Sequence, residues 1–250
     1  MGKVQQNYPV LDSTNSYAAE LLSKTSPSEG TVIVAANQLN GRGQYGSKWH
    51  AEAGQNLTLS YILYPRFIAL SAQFDLNIAV SLACKQAIEH FIGSQVKIKW
   101  PNDIYVGSRK IGGILIQNQV QSTQIRNSVI GMGLNVNQIV FPEDLPNPTS
   151  LRQINNQVID HQQLIDVLSY FLEQEYLKLR QGNFQSRQLA YVENLYGYRE
   201  IFRFLDAEQL PFEGCIIGVD PEGRLMIKIA GNMRTFGIKE IQFLGSVEQV

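Results

Sequence analysis

Two short segments hold residue types and spacings suited to chemistry on phosphate and carboxylate groups. One is a glycine-rich, basic loop closed by an aromatic residue, Gly41-Arg42-Gly43-Gln44-Tyr45-Gly46-Ser47-Lys48-Trp49. The other is Lys99-Trp100-Pro101-Asn102-Asp103-Ile104, followed by Lys110 and Gly112-Gly113. Glycines let backbone N–H groups approach an anion, lysines supply compact point charges, and Arg42 can grip a phosphate or carboxylate through two N–H groups. Asp103 and Asn102 offer a carboxylate and an amide oxygen, suitable magnesium partners, because Mg²⁺ keeps waters and phosphate oxygens and needs few protein ligands. Trp49 either stacks on a base or packs in the core. Taken singly, Asp103 reads as a turn cap and each lysine as a solvated charge. Taken together with the glycine loop, they read as a site for nucleotide-phosphate chemistry, although the loop is neither a P-loop nor the dinucleotide fingerprint.

The elements that must position these residues follow from the hydrophobic pattern. Asp12-Ser13-Thr14-Asn15 precedes a short helix pattern over 17–22; capping explains one of these four polar residues and leaves others free for a ligand. Residues 31–36 read as a buried strand with Asn37 and Gln38 at its exit, and 56–64 as a second strand. A helix is predicted over 74–91, ended by Gly93, then an alternating strand over 96–100 that Pro101 must break. A hairpin pairs 103–106 with 110–116, and 128–137 forms a strand with glycines where something approaches the backbone. Residues 141–148 form a proline-rich surface loop, and 163–180 a long amphipathic helix. From about Tyr196 short apolar runs alternate with turns, the pattern of a small all-β barrel. The expectation is an α+β protein, with a larger domain over 1–195 and a small β domain over 196–250.

The totals bound the class. A chain of 250 residues can bury a sizeable core, and a net charge of −1 gives no bulk case for nucleic acid or an anionic membrane surface. Any basic patch is therefore local to the two motif segments. Two cysteines, Cys84 and Cys215, cannot build a disulfide framework and read as buried thiols in a reducing compartment. No signal-peptide pattern or membrane-length apolar run is seen, so a cytoplasmic location is expected.

At this level of detail the chain resembles a known family. Ser13-Thr14-Asn15, Gly41-Arg42-Gly43-x-x-Gly46-x-x-Trp49, Lys99-Trp100-Pro101-Asn102-Asp103, Arg109-Lys110-Ile111-Gly112-Gly113-Ile114 and Gly131-Met132-Gly133-Leu134-Asn135-Val136-Asn137 together resemble the biotin–protein ligases, in order and spacing. The resemblance implies a mixed central β-sheet packed with helices, of the class II synthetase-like kind, and an SH3-like C-terminal β-barrel. It implies adenylation of biotin by ATP to biotinyl-5′-AMP and pyrophosphate, with Mg²⁺. Transfer to a lysine of a biotin carboxyl carrier domain of a biotin-dependent carboxylase then follows. It places Ser13, Thr14, Asn15, Gln38, Gly41, Arg42, Gly43, Gln44, Gly112, Gly113, Ile114, Gly131 and Asn135 in the ligand-binding region, with Trp49 near adenine. Lys110 would meet the biotin carboxylate and α-phosphate, Arg42 would assist, and Lys99, Asn102 and Asp103 would serve ATP and magnesium. Family members occur as monomers and as homodimers, and both stay open here.

Two departures from the family pattern stand out. Gln44 and Ser47 replace arginines common in the loop, which implies either weaker retention of the adenylate or a different set of contacts. The matching core begins within about a dozen residues of Met1, so the helix-turn-helix domain of the bifunctional members, and with it DNA binding, is not expected. Two other readings are a lipoate–protein ligase or octanoyltransferase, and a binding module that kept the fold without the chemistry. Trp49 and Trp100-Pro101 weigh against the first, as does Cys84, which lies in a helix pattern away from the glycine-rich motifs. Lys99, Asp103 and Lys110 together weigh against the second.

Overall fold

The computed structural model describes residues 1–93 and 95–246. The central sheet is built from β1 (Gln5–Leu11), β2 (Val32–Gln38), β3 (Leu57–Leu63), β4 (Val96–Lys99), β5 (Asp103–Val106), β6 (Arg109–Gln121) and β7 (Gln124–Leu134). Their spatial order is β1-β2-β3-β7-β6-β5-β4. Only the β1–β2 pair among them is parallel, so the sheet is mixed, as expected. Strand β1 was not foreseen; it is an edge strand with Pro9 in it and without a clean apolar alternation. The β6–β7 hairpin runs further than its apolar part, carried outward by polar residues such as Gln119, Gln121 and Gln124.

Helices cover both faces. On one lies α1 (Thr14–Lys24), whose Ala18 packs with Ile33, Ile62 and Val129. On the other lie α2 (Phe74–Ile92), the short α3 (Leu151–Asn155), and α4 (His161–Arg180), with α5 (Phe184–Glu193) beyond. Helix α2 is buried along most of its length between the sheet and α4, and Gly93, at φ +73°, ends it. Asp160 caps α4, its carboxylate accepting from the Gln163 N–H at 2.8 Å. Among the described residues no helix is long and apolar enough to cross a membrane.

The C-terminal strands β8 (Ile201–Asp206), β9 (Pro211–Val219), β10 (Leu225–Ile229), β11 (Asn232–Phe236) and β12 (Ile241–Ser246) form a second, antiparallel sheet ordered β11-β10-β9-β8-β12. Phe202, Phe204, Phe212, Phe236 and Phe243 pack on one another in tilted, edge-to-face or stacked pairs. This small sheet meets the edge of the large one near β4. The Tyr196 N–H bonds the Ile98 carbonyl at 2.9 Å, and the buried Trp100 donates its indole N–H to the Gly223 carbonyl at 2.8 Å. β4 ends at Lys99, just before Trp100-Pro101, a break near Pro101 as expected; Asn102 lies in the turn and Asp103 begins the return strand.

Candidate active site

The α1 face of the sheet carries a stripe without side chains. Gly113 of β6 pairs with Gly133 of β7, and Gly131 lies two residues along the same strand. A Cβ at Gly133 would run into the Trp49 ring, one at Gly113 would lie 3.3 Å from it, and one at Gly131 would run into the Asn15 amide. The glycines are thus what lets Trp49 and Asn15 lie directly on the sheet. The cavity above them is lined by Ser13, Thr14, Asn15, Gln38, Arg42, Gly43, Gln44, Trp49, Asn102, Asp103, Lys110, Gly113, Ile114 and Gly131, all foreseen from sequence. It is also lined by Ser47, Lys48, Leu59, Leu115, Met132 and Gly133, which were not singled out as ligand-binding.

Thr14, Asn15 and Gln38 are held by side-chain bonds to one another or to the sheet. Ser13 is the N-cap of α1, yet its hydroxyl makes no cap bond. Gln38 supplies the cap instead: its carbonyl oxygen accepts from the Thr14 N–H at 2.7 Å and from the Thr14 hydroxyl at 3.1 Å. Asn15 donates to the Gln117 side chain at 2.9 Å and to the Leu115 carbonyl at 3.3 Å. Ser60 of β3 lies below, its one proton shared between Asn15 Oδ1 at 2.6 Å and Thr14 Oγ1 at 2.8 Å. Thr14 and Asn15 are each 3 % exposed, so burial with connected partners fixes their rotamers in advance. Ser60 and Gln117 are the supporting residues that sequence reasoning missed; Ser60 alternates with apolar neighbours in β3, an unexplained buried polar group that was the available signal.

The charged centre is an ion pair between Lys110 Nζ and Asp103 Oδ1 at 2.7 Å. Lys110 also lies over the Trp49 ring, 5.7 Å from its centroid. Its backbone is clamped by the proline-rich loop: the Lys110 N–H bonds the Asn147 carbonyl and the Thr149 N–H bonds the Lys110 carbonyl, each at 2.8 Å. Asn102 ties β6 to the strand break, donating to the Ile114 carbonyl at 2.7 Å while its own carbonyl accepts from the Ile114 N–H at 2.9 Å. Among the described residues no three His, Cys, Asp or Glu side chains cluster as a metal cage. Asp103 and the Asn102 amide oxygen, on one cavity wall, fit a magnesium ion that arrives with a nucleotide and brings its own oxygens.

The glycine-rich loop folds back on itself. The Gly43 N–H bonds the Ser47 carbonyl at 2.7 Å and the Trp49 N–H bonds the Gly41 carbonyl at 2.9 Å. Ser47 donates its hydroxyl to the Gln44 carbonyl at 2.7 Å, beside its backbone N–H at 3.1 Å, so serine at this position adds a second bond to the turn. The Trp49 indole N–H is buried against the sheet without a hydrogen-bond partner.

Four residues expected at the ligand do not line this cavity. Lys99 shares the sheet face and is in register with Asp103, but it points into the junction with the small sheet. There its Nζ donates to the Tyr105 hydroxyl at 3.2 Å and lies 4.8 Å and 5.1 Å from the Tyr105 and Phe243 ring centroids. Burial holds its ammonium below the ordinary lysine pKa; Asp103 opposes that lowering and Lys110 adds to it. Asn135 is buried behind the cavity, donating to the Thr149 carbonyl at 3.0 Å, and so anchors the loop that clamps Lys110. Gly112 faces the opposite side of the sheet, where a Cβ would meet Leu134 and the Gly133 carbonyl at 3.1 Å. Gly41 lies outside the cavity lining; a Cβ there would strike the Trp49 carbonyl, so it serves the closing of the loop.

The Biotin/lipoate A/B protein ligase family model matches residues 8–135, the segment that contains both motifs and the glycine stripe. The chain belongs to this family. The bifunctional ligase/repressor BirA of Bacillus subtilis is 34% identical over 231 residues, covering 91% of this chain and 70% of that protein. The biotin–[acetyl-CoA-carboxylase] ligase of Mycobacterium tuberculosis is 28% identical over 236 residues, covering 89% of this chain and 83% of that protein. Among solved structures, the biotin protein ligase of Aquifex aeolicus in complex with biotin and ATP superposes with a TM-score of 0.80 at 24% identity. That match covers 98% of this chain and 100% of the other, so the likeness of fold to a family member extends through the small C-terminal sheet.

Proposed function

We propose that this chain is a biotin–protein ligase that uses ATP to convert biotin to biotinyl-AMP and then transfers the biotinyl group to a lysine of a biotin carboxyl carrier domain. The observation that carries the reading is the Lys110–Asp103 pair at 2.7 Å in the cavity that Ser13, Thr14, Gln38, Arg42 and Trp49 also line. In the first step a biotin carboxylate oxygen attacks the α-phosphorus of ATP, and the bond to the β-phosphate oxygen breaks to release pyrophosphate. Both reactants are anionic, so cations fixed before they arrive lower the barrier most. Asp103 keeps Lys110 aimed at the meeting point, and Arg42 adds a second cation from the loop. Ser13, Thr14 and Gln38 supply polar contacts for the ureido end of biotin. A magnesium ion held by Asp103 and Asn102 would neutralise further phosphate charge.

In the second step the carrier lysine amine attacks the acyl carbonyl, AMP leaves, and a proton is lost. The adenylate is a mixed anhydride open to hydrolysis, and Trp49 with its loop lies where it would exclude water. We assign this chemistry to residues 1–195 and treat 196–250 as an appended unit that closes one side. A thioester route through cysteine lacks a nucleophile: neither cysteine lines the cavity, and burial pushes the Cys84 thiol up to about 12. The test is incubation with ATP, magnesium and a carrier domain, with biotin, lipoate or octanoate supplied in turn. Pyrophosphate release and carrier labelling with biotin alone are expected; lipoyl or octanoyl labelling would replace this reading with the rival one.

A further inference from the structure

The glycine-rich loop is anchored on its inner side by Trp49, but its tip leans on a different part of the chain. A groove bounded by loop residues and by Leu115 and Gln117 separates the outer side of the loop from β6, so the tip does not pack on the sheet it covers. Tyr45 stands at that tip, 60 % exposed and at φ +53°, a left-handed conformation that a bulky residue rarely adopts. Opposite it is Lys239, in the turn between β11 and β12, itself at φ +79°. Its Nζ lies 4.6 Å from the centroid of the Tyr45 ring, well inside cation–π range. The turn is closed beneath it: Glu240 accepts from the Gly237 N–H at 2.6 Å, and the Glu240 N–H bonds the Gly237 carbonyl at 3.1 Å.

We propose that Lys239 is a positioning residue that latches the glycine-rich loop over the cavity through Tyr45. Two residues in a strained backbone region face each other across the gap between the loop and the small sheet. The strain on each side serves to present one side chain to the other. The loop's own polar bonds, from Gly43 to Ser47 and from Trp49 to Gly41, shape it without tying its tip to anything else. With Gln44 and Ser47 in the loop, its cations are Arg42 and Lys48, and Lys239 adds a third from outside. Six residues beyond the start of the same turn, Phe243 rests against Lys99 beside the cavity floor. The 237–243 segment therefore touches both the lid and the strand pair that carries Asp103. The small sheet sets how tightly the lid is held, and so how long an acyl adenylate stays in the site, a consequence that rests on the function proposed above.

The latch can be tested without any ligand, on the full chain, by limited trypsin cleavage after Arg42 and Lys48 followed by mass. Lys239→Met should speed cleavage at these bonds roughly two- to fivefold, the range set by exposed cation–π pairs. Tyr45→Leu should do the same, and the double variant should be no faster than either single one. Lys239→Arg should restore wild-type protection, and thermal midpoints should stay unchanged. Equal cleavage in wild type and Lys239→Met, or single effects that multiply in the double variant, would overturn the latch. Release of preformed radiolabelled biotinyl-adenylate should follow the same pattern, and unchanged release with altered cleavage would overturn the link to retention. A wild-type protein that makes no adenylate at all would count against the proposed function and leave the cleavage result to stand alone.

Discussion

Lys99 and Lys110 lie on the same face of the sheet, on strands β4 and β6 that flank β5, and a motif search would give them one role. Their surroundings are opposite. Lys110 has its backbone clamped on both sides by residues 147–149, and its ammonium meets a carboxylate inside the cavity. Lys99 sits on the edge strand, where the small sheet arrives, and its ammonium lies between two aromatic rings. The first environment stabilises a cation and leaves it addressable by an incoming anion. The second strips water from a cation and offers it ring faces and a phenol. Distance along the chain from a motif therefore says less about a lysine than which element covers it.

The contrast predicts unequal losses. Lys110→Ala should lower biotin-dependent pyrophosphate release by about 10²–10³-fold, the range for deleting one preorganised charge-stabilising group. Its urea midpoint should stay close to wild type, because the pair it breaks is partly solvated. Asp103→Asn should cost less, on the order of 10²-fold, since Lys110 keeps its charge and loses its aim. If Asp103→Asn costs more than Lys110→Ala, Asp103 acts directly, as a magnesium ligand, and raising magnesium should then recover part of the rate.

A smaller effect is expected from the floor of the cavity. Gly133→Ala puts a methyl group where the Trp49 ring lies, and overpacking of this kind costs about 1–3 kcal/mol when the neighbour cannot move. Trp49 belongs to a loop that can lift, so the cost should appear as roughly tenfold weaker biotin binding with little loss of global stability. The chain has two tryptophans, and Trp100 is buried against Gly223, so a red shift in emission reports Trp49 leaving the sheet. An unshifted spectrum with unchanged binding would show that the glycine stripe is not what seats the ring.

Much of this was legible in the residues. Helices α2 and α4 follow 3.6-residue apolar spacing and end where Gly93 and Arg180 place them, and Pro101 marks the strand break. The cavity lining was readable because clustered glycines, cations and small polar residues ask for a purpose other than packing, and because their order and spacing resemble the biotin–protein ligases. What stayed hidden were contacts between distant segments. Nothing local in β1 marks it as a strand, because none of its residues is fully buried and so neither face imposes an apolar alternation. The proline-rich loop looked like plain surface, yet it clamps Lys110, and Asn135 looked like a ligand contact, yet it anchors that loop. Gly131 and Gly133 announced a close approach, but only the fold says that Asn15 and Trp49 are what approach.

The smallest expected effect is the sharpest test of the comparison. Lys99→Met should leave pyrophosphate release within about fivefold of wild type, the most that a partly screened charge outside the cavity is expected to supply. Stability should change with pH in a definite direction. The folded-state pKa of Lys99 is lowered by burial, so between that value and the unfolded value of about 10.4 the unfolded chain holds a proton the folded chain has lost. Stability from this group rises with pH through that window, and the desolvation cost is felt in full at neutral pH. The wild type's urea midpoint should therefore gain on that of Lys99→Met between pH 7 and pH 10. A shift in the variant's favour would mean that the Tyr105 and Phe243 rings hold the ammonium more strongly than burial opposes it. A loss of adenylation comparable with that of Lys110→Ala would place both lysines at one substrate and collapse the distinction between cavity and junction.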